Sequence, residues 1–259
     1  MLLPRITPCL LLRDGGLVKT VQFKNAKYVG DPINAVKIFN EKEADELIVL
    51  DIDASTNGTE PDFKMIGRLA VECRMPLCYG GGIKSAAHAK RIIGLGVEKV
   101  ALSSAAIARP QVMLEISKEI GNQSVVLVID VRRRPLRGGY EVYTHNGTRA
   151  TGTDPISIAS DAASWGVGEV VVNAIDRDGM MNGYDLDLAS KIRAATSLPM
   201  TVLGGAGALA DIGELIGACG VVGAAAGSLF VFKGAYKAVL INYPSRAQKE
   251  ELFSSGLHR

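Results

Sequence analysis

Two glycine-rich runs are the residues best suited to chemistry in this sequence. Tyr79-Gly80-Gly81-Gly82-Ile83 and Leu203-Gly204-Gly205-Ala206-Gly207 begin 124 residues apart. Backbone N–H groups approach an anion closely only where no Cβ intervenes, and a helix N-terminus beyond such a turn adds partial positive charge. Each run has a hydroxyl-bearing companion further along, Ser103-Ser104 for the first and Gly227-Ser228 for the second, and the companions again lie 124 residues apart. Gly82 with Ser104, and Gly205 with Gly227 and Ser228, therefore form two candidate phosphate sites. They imply a ligand with a phosphate at each end, or the surviving shape of such a site.

The same interval relates Leu50-Asp51-Ile52-Asp53 to Asn173-Ala174-Ile175-Asp176, 123 residues later. Asn173, heading the second of these strand ends, is a further candidate ligand-binding residue. Landmarks in register over half the chain indicate a duplicated unit, and the interval is far too long for a solenoid repeat of about 20 to 50 residues. Eight short β-rich runs separated by helical patterns carry these landmarks: residues 6–12, 46–51, 76–79, 99–102, 124–130, 169–173, 200–203 and 220–224. Most are continuously apolar, as expected of parallel strands covered by helices. Helical patterns occupy 32–42, 63–74 and 85–95, among others. At 259 residues the chain has the size of one eight-stranded α/β barrel, about 250 residues. No Pro/Ser/Gly-rich linker divides it, so the expectation is a single (β/α)8 TIM barrel over residues 1–259, built from two half-barrel repeats.

Two connections exceed simple βα turns, residues 13–30 and 131–152, the second containing Arg132-Arg133-Arg134 and a hairpin-like stretch at 140–144. Both follow strands at the end where barrels place chemistry and are candidate lids or docking loops. A net charge of +2 with few aromatics argues against a nucleic-acid partner. The uncharged run 215–232 reaches the length of a membrane span, but its four glycines and Ser228 favour helix, buried strand and phosphate loop. Neither end reads as a targeting segment, and Cys9, Cys73, Cys78 and Cys219, without CxxC spacing, read as reduced thiols of a cytoplasmic protein. No cofactor and no metal are expected: there is no nicotinamide fingerprint, and His88, His145 and His258 are scattered.

Taken in order, Pro8-Cys9-Leu10, Asp14-Gly15, Val18-Lys19, Gly30-Asp31-Pro32, Leu50-Asp51-Ile52, Gly80-Gly81-Gly82-Ile83, Val128-Ile129-Asp130, residues 175–179, Gly183-Tyr184-Asp185 and residues 204–207 resemble the cyclase subunit family of imidazole glycerol phosphate synthase, over essentially the whole chain. The resemblance implies a glutaminase subunit docked at the barrel bottom and ammonia passing through the barrel to a bisphosphate-like substrate. It implies ring closure by two aspartates, of which Asp130 matches one. The other falls at Leu11, which cannot exchange a proton, where a positioned acid or base contributes about 10² to 10⁴ in rate. Asp14, Asp51, Asp53 and Asp176 are the carboxylates from which a substitute would come. Asp130 itself is open to a second reading, as a strand-end carboxylate paired with Arg132 or Arg133.

The resemblance also places a charged ammonia gate at Arg5, Glu46, Lys99 and Glu169, all of which keep their charge. Loss at the top beside retention at the bottom resembles a divergent branch associated with sugar amidation in surface polysaccharide synthesis. Cys9-Leu10-Leu11-Leu12 and residues 75–83 carry that likeness. The implied partners are a glutaminase and a third, sugar-activating protein, for which Met180-Met181 is a candidate contact. Two alternatives stand beside this reading: a working cyclase of histidine biosynthesis and a non-enzymatic scaffold for a glutaminase.

Overall fold

The computed structural model describes residues 3–135 and 138–257, so Leu136 and Arg137 of the second long connection, and His258, lie outside the described residues. Eight strands form the barrel: β1 Arg5–Arg13, β2 Leu47–Asp51, β3 Leu77–Gly80, β4 Lys99–Leu102, β5 Val125–Arg133, β6 Glu169–Ala174, β7 Met200–Leu203 and β8 Gly223–Ala226. Every neighbouring pair is parallel, and β8 pairs with β1, Arg5 opposite Gly223 and Thr7 opposite Ala225, which closes the cylinder. The expected single barrel is the observed fold.

Side chains alternate across each strand. Along β1, Ile6, Leu10 and Leu12 belong to the large cluster between strands and helices. Cys9 and Leu11 point the other way, into an inner cluster with Ile48, Cys78, Ala101, Val126, Val128, Val171, Leu203 and Ala225. Burial on both faces is why the strands read as unbroken apolar runs.

The outer helices are α1 Pro32–Glu41, α2 Phe63–Glu72, α3 Ala86–Gly94, α4 Gln111–Ile120, α5 Pro155–Asp161, α6 Leu186–Ala195, α7 Leu209–Cys219 and α8 Arg246–Leu257. Side chains that satisfy first-turn amides start many of them: Asp31, Asp62, Ser85, Asp154 and Asp185 accept from backbone N–H groups two or three residues on. The run 215–232 divides between the end of α7, strand β8 and a short helical turn at Ser228–Val231. Among the described residues no helix is long and apolar enough to cross a membrane. The last strand lies later than the sequence predicts, because Gly220 at φ +72° ends α7 and the chain must still turn.

Both long connections are more ordered than loops. The first is an antiparallel hairpin, Gly16–Val21 with Lys24–Gly30, that extends β1 upward. In the second, β5 itself continues to Arg133 and pairs antiparallel with Tyr140–Thr144.

Candidate functional site

The strands' C-terminal ends open into a mouth of about 1000 Å³, its open side included. Asp130 sits on its floor. Parallel pairing of β5 with β6 puts Asn173 beside Asp130, and Asn173 Nδ2 donates to one carboxylate oxygen at 3.0 Å. Ser103 Oγ, at the end of β4, donates to the other at 2.9 Å. Burial raises the Asp130 carboxyl to about 6, against the opposing pull of these two donors. Both protonation states are therefore populated near neutral pH, which suits a group that passes protons. Arg132 and Arg133 do not pair with Asp130. Arg132 reaches Asp176 at 3.5 Å, and Arg133 holds Asp185.

Leu11 lines the same mouth, packed in the inner cluster and 9% exposed. The carboxylates that a substitute would come from are engaged elsewhere or exposed. Asp53 forms a two-point pair with Arg13 at 2.6 and 2.7 Å, Asp176 accepts the Arg133 amide at 2.8 Å, and Asp14 stands exposed in the turn after β1. Asp51 lines the mouth but accepts the amides of Asp53 and Ala54, capping its own loop.

Sequence reasoning missed four residues of the mouth: Ser103 as the partner of Asp130, and Lys19, Thr20 and Asp178. Lys19 and Thr20 arrive on the hairpin. Lys19 Nζ donates to the Cys9 carbonyl at 2.7 Å, and a side chain at Gly227 would collide with that amine. Burial lowers the Lys19 ammonium, opposed by Cys9 and Asp178. Asp178 holds the hairpin down: its carboxylate accepts Thr20 Oγ1 at 2.6 Å and the Phe23 amide at 3.1 Å, and its carbonyl accepts the Gln22 amide at 3.0 Å. Gln22 and Phe23 both have positive φ, at 51° and 63°. Neither residue type announces such a turn, where Asn-Gly or Gly-Gly would.

Both glycine runs turn through positive φ at the ends of their strands. Gly81 and Gly205, related by the 124-residue offset, have φ of +124° and +115°. A Cβ on Gly81 would strike the backbone of Asp51, and one on Gly205 the carbonyl of Gly183. Gly205, Gly227 and Ser228 border the main mouth. Gly82 and Ser104 border an adjoining recess with Lys84 and His145, beside residues 59–61, whose backbone lies where a Gly82 side chain would be. Ser104 Oγ accepts the His145 amide at 2.9 Å. Asn173 lines the main mouth together with Gly205, and its side-chain amide is turned to Asp130.

At the opposite end, Arg5, Glu46, Lys99 and Glu169 meet in one ring. Lys99 Nζ lies 2.6 Å from Glu46 and 2.8 Å from Glu169, and Arg5 lies 3.2 Å and 2.7 Å from the same two carboxylates. Thr201 Oγ1 donates to Glu169 at 2.7 Å. Burial alone would raise Glu169, but Lys99 and Arg5 hold it below the usual carboxylate range. Burial likewise opposes the Lys99 charge, and the two glutamates raise it above the ordinary lysine value. Met181 lines the mouth, while Met180 stands 42% exposed outside it. Among the described residues no three His, Cys, Asp or Glu side chains converge as a metal-binding group would require.

The model of a family described as "Histidine biosynthesis protein" matches residues 5–237. A protein of Leptospira interrogans, provisionally named imidazole glycerol phosphate synthase subunit HisF, is 57% identical over 98% of this chain and 100% of its own length. A Vibrio vulnificus protein, provisionally named subunit hisF3 of the same synthase, is 55% identical over 97% of this chain and 96% of its own. The imidazole glycerol phosphate synthase subunit HisF of Exiguobacterium sibiricum is 40% identical over 89% and 91%.

Proposed function

The chain belongs to the histidine biosynthesis protein family, as a relative of imidazole glycerol phosphate synthase subunit HisF, and from that membership we propose that it conducts ammonia without closing an imidazole ring. It acts as the barrel subunit of a glutamine-dependent amidotransferase. A HisH-type glutaminase docks at the barrel base and releases ammonia, and a phosphorylated ligand at the mouth receives it. The observation carrying this reading is the pairing of an intact four-charge ring at the base with Leu11 at the mouth. Paired charges around a narrow entrance form a gate, and the apolar wall above disfavours the ammonium ion.

The acceptor we infer is a nucleotide-linked sugar of surface polysaccharide synthesis, with a third protein activating it. Gly82 and Ser104 on one side, and Gly205, Gly227 and Ser228 on the other, hold phosphate groups. Asn173 orients Asp130, which handles the proton released when ammonia attacks. One observation favours a second reading, that of a working cyclase: Asp130 keeps two hydrogen-bond donors and sits near neutral pKa, as an acid-base group needs. The conduit reading is tested by the rate at which a HisH-type glutaminase hydrolyses glutamine with and without this barrel. Stimulation by the unaltered protein, and its loss in Glu46→Gln, is the expected result. No stimulation and no complex would refute the conduit.

A further inference from the structure

Thr7 stands one inward position above Arg5 on β1. It shares the parity of Cys9 and Leu11, which lie in the inner cluster, and pairs in register with Ala225 of that cluster. The side chain therefore points into the barrel interior, just above the charged ring. Thr7 is 0% exposed, and its Oγ1 has no hydrogen-bond partner. Of the three such atoms among the described residues, the other two belong to His88 on α3 and to Arg134 beyond β5. A buried hydroxyl left unpaired is destabilising, and valine would fill the same space without that cost. The neighbouring interior hydroxyl, Thr201 Oγ1, is committed to Glu169.

The remaining wall is Ile48, Ala101, Val126 and Val171 with the thiols of Cys9 and Cys78. Burial pushes Cys9 up to about 11 and Cys78 well above the usual thiol range, so both remain neutral at physiological pH. Apart from these neutral thiols the wall is apolar, and the Thr7 hydroxyl in it has no hydrogen-bond partner.

We infer that Thr7 Oγ1 is a binding station inside the barrel for a small neutral nitrogen base, its O–H donating to the lone pair of an ammonia molecule that has passed the ring. The inference rests on the conduit reading. It adds a place where the barrel interior lowers the cost of desolvating ammonia.

Hydroxylamine is uncharged at neutral pH and has two heavy atoms, so it serves as a probe that density distinguishes from water. Crystals of the full chain soaked in it are expected to show an elongated feature within about 3.2 Å of Thr7 Oγ1. The feature should persist in Thr7→Ser and vanish in Thr7→Val, whose melting temperature should not fall below that of the unaltered protein. An interior that stays empty, that holds a spherical water unmoved by the soak, or that binds the probe equally in Thr7→Val overturns the inference. If the barrel still stimulates a HisH-type glutaminase, such a result removes the Thr7 station and leaves the conduit standing.

Discussion

Buried ionisable groups behave oppositely at the two ends of this barrel. At the base, Arg5, Glu46, Lys99 and Glu169 sum to zero charge and pair with one another, and within that ring Glu169 is pulled down and Lys99 pushed up. At the mouth, Asp130 is pushed up to about 6 and Lys19 is lowered, so each is driven toward its neutral form. Opposite charges within hydrogen-bond reach repay desolvation, whereas neutral donors such as Ser103 and Asn173 repay only part of it. The base thus favours fixed charges, and the mouth favours the neutral forms of its ionisable groups. Leu11 lies at the mouth, the end where we propose that the chemistry has diverged.

The contrast breaks most sharply at Lys99. Lys99→Met leaves Glu46 and Glu169 facing each other with only Arg5 between them, and the expected cost is about 2 to 4 kcal/mol at pH 7, read by urea unfolding. A group whose folded pKa is depressed stabilises the protein above its unfolded pKa, and loses that contribution as pH falls through the folded value. The Glu169 contribution to acid-side loss should therefore shrink in the variant. A cost below about 0.5 kcal/mol would mean that the ring is a set of solvated surface pairs.

Asp130→Asn tests the other end and has the opposite sign. With a folded pKa of about 6 against an ordinary 3.8, Asp130 favours folding fully below pH 4, and that contribution is lost as pH rises through 6. Removing the ionised group should therefore stabilise the protein by about 1 to 2 kcal/mol at pH 8, with the advantage gone near pH 4. A loss of stability at pH 8 would show that Asp130 is charge-compensated like the base. The smallest effect belongs to the hairpin. Thr20→Val takes one donor from Asp178 and should cost about 1 kcal/mol, with faster amide exchange at Phe23. Unchanged exchange would show that Asp178 does not hold the hairpin down.

The barrel was legible because both faces of its strands are buried, so apolar runs and a 124-residue offset survive in the sequence. The two glycine runs themselves stood out in the sequence, and the structure shows that a Cβ would collide where Gly81 meets Asp51 and Gly205 meets Gly183. Lys19, Thr20 and Asp178 were not legible as one cluster. A hairpin whose turn residues are Gln22 and Phe23 carries no turn signature, and its docking on residues 176–178 spans more than 150 positions. Asn173 was legible as a strand-end ligand candidate, but strand-end position does not fix what its side chain faces. The pairing of β5 with β6 turns it to Asp130.

The central claim is that the mouth has lost ring closure at Leu11 while the base has kept its gate. Its most direct test supplies ammonium at alkaline pH, bypassing any glutaminase, together with the family's aminoimidazole-carboxamide ribonucleotide substrate, and measures imidazole glycerol phosphate formed by the unaltered protein and by Leu11→Asp. The account predicts no product from the unaltered chain and product from Leu11→Asp, in line with the factor of about 10² to 10⁴ that a positioned acid or base supplies. Turnover by the unaltered chain would contradict it and make this barrel a cyclase.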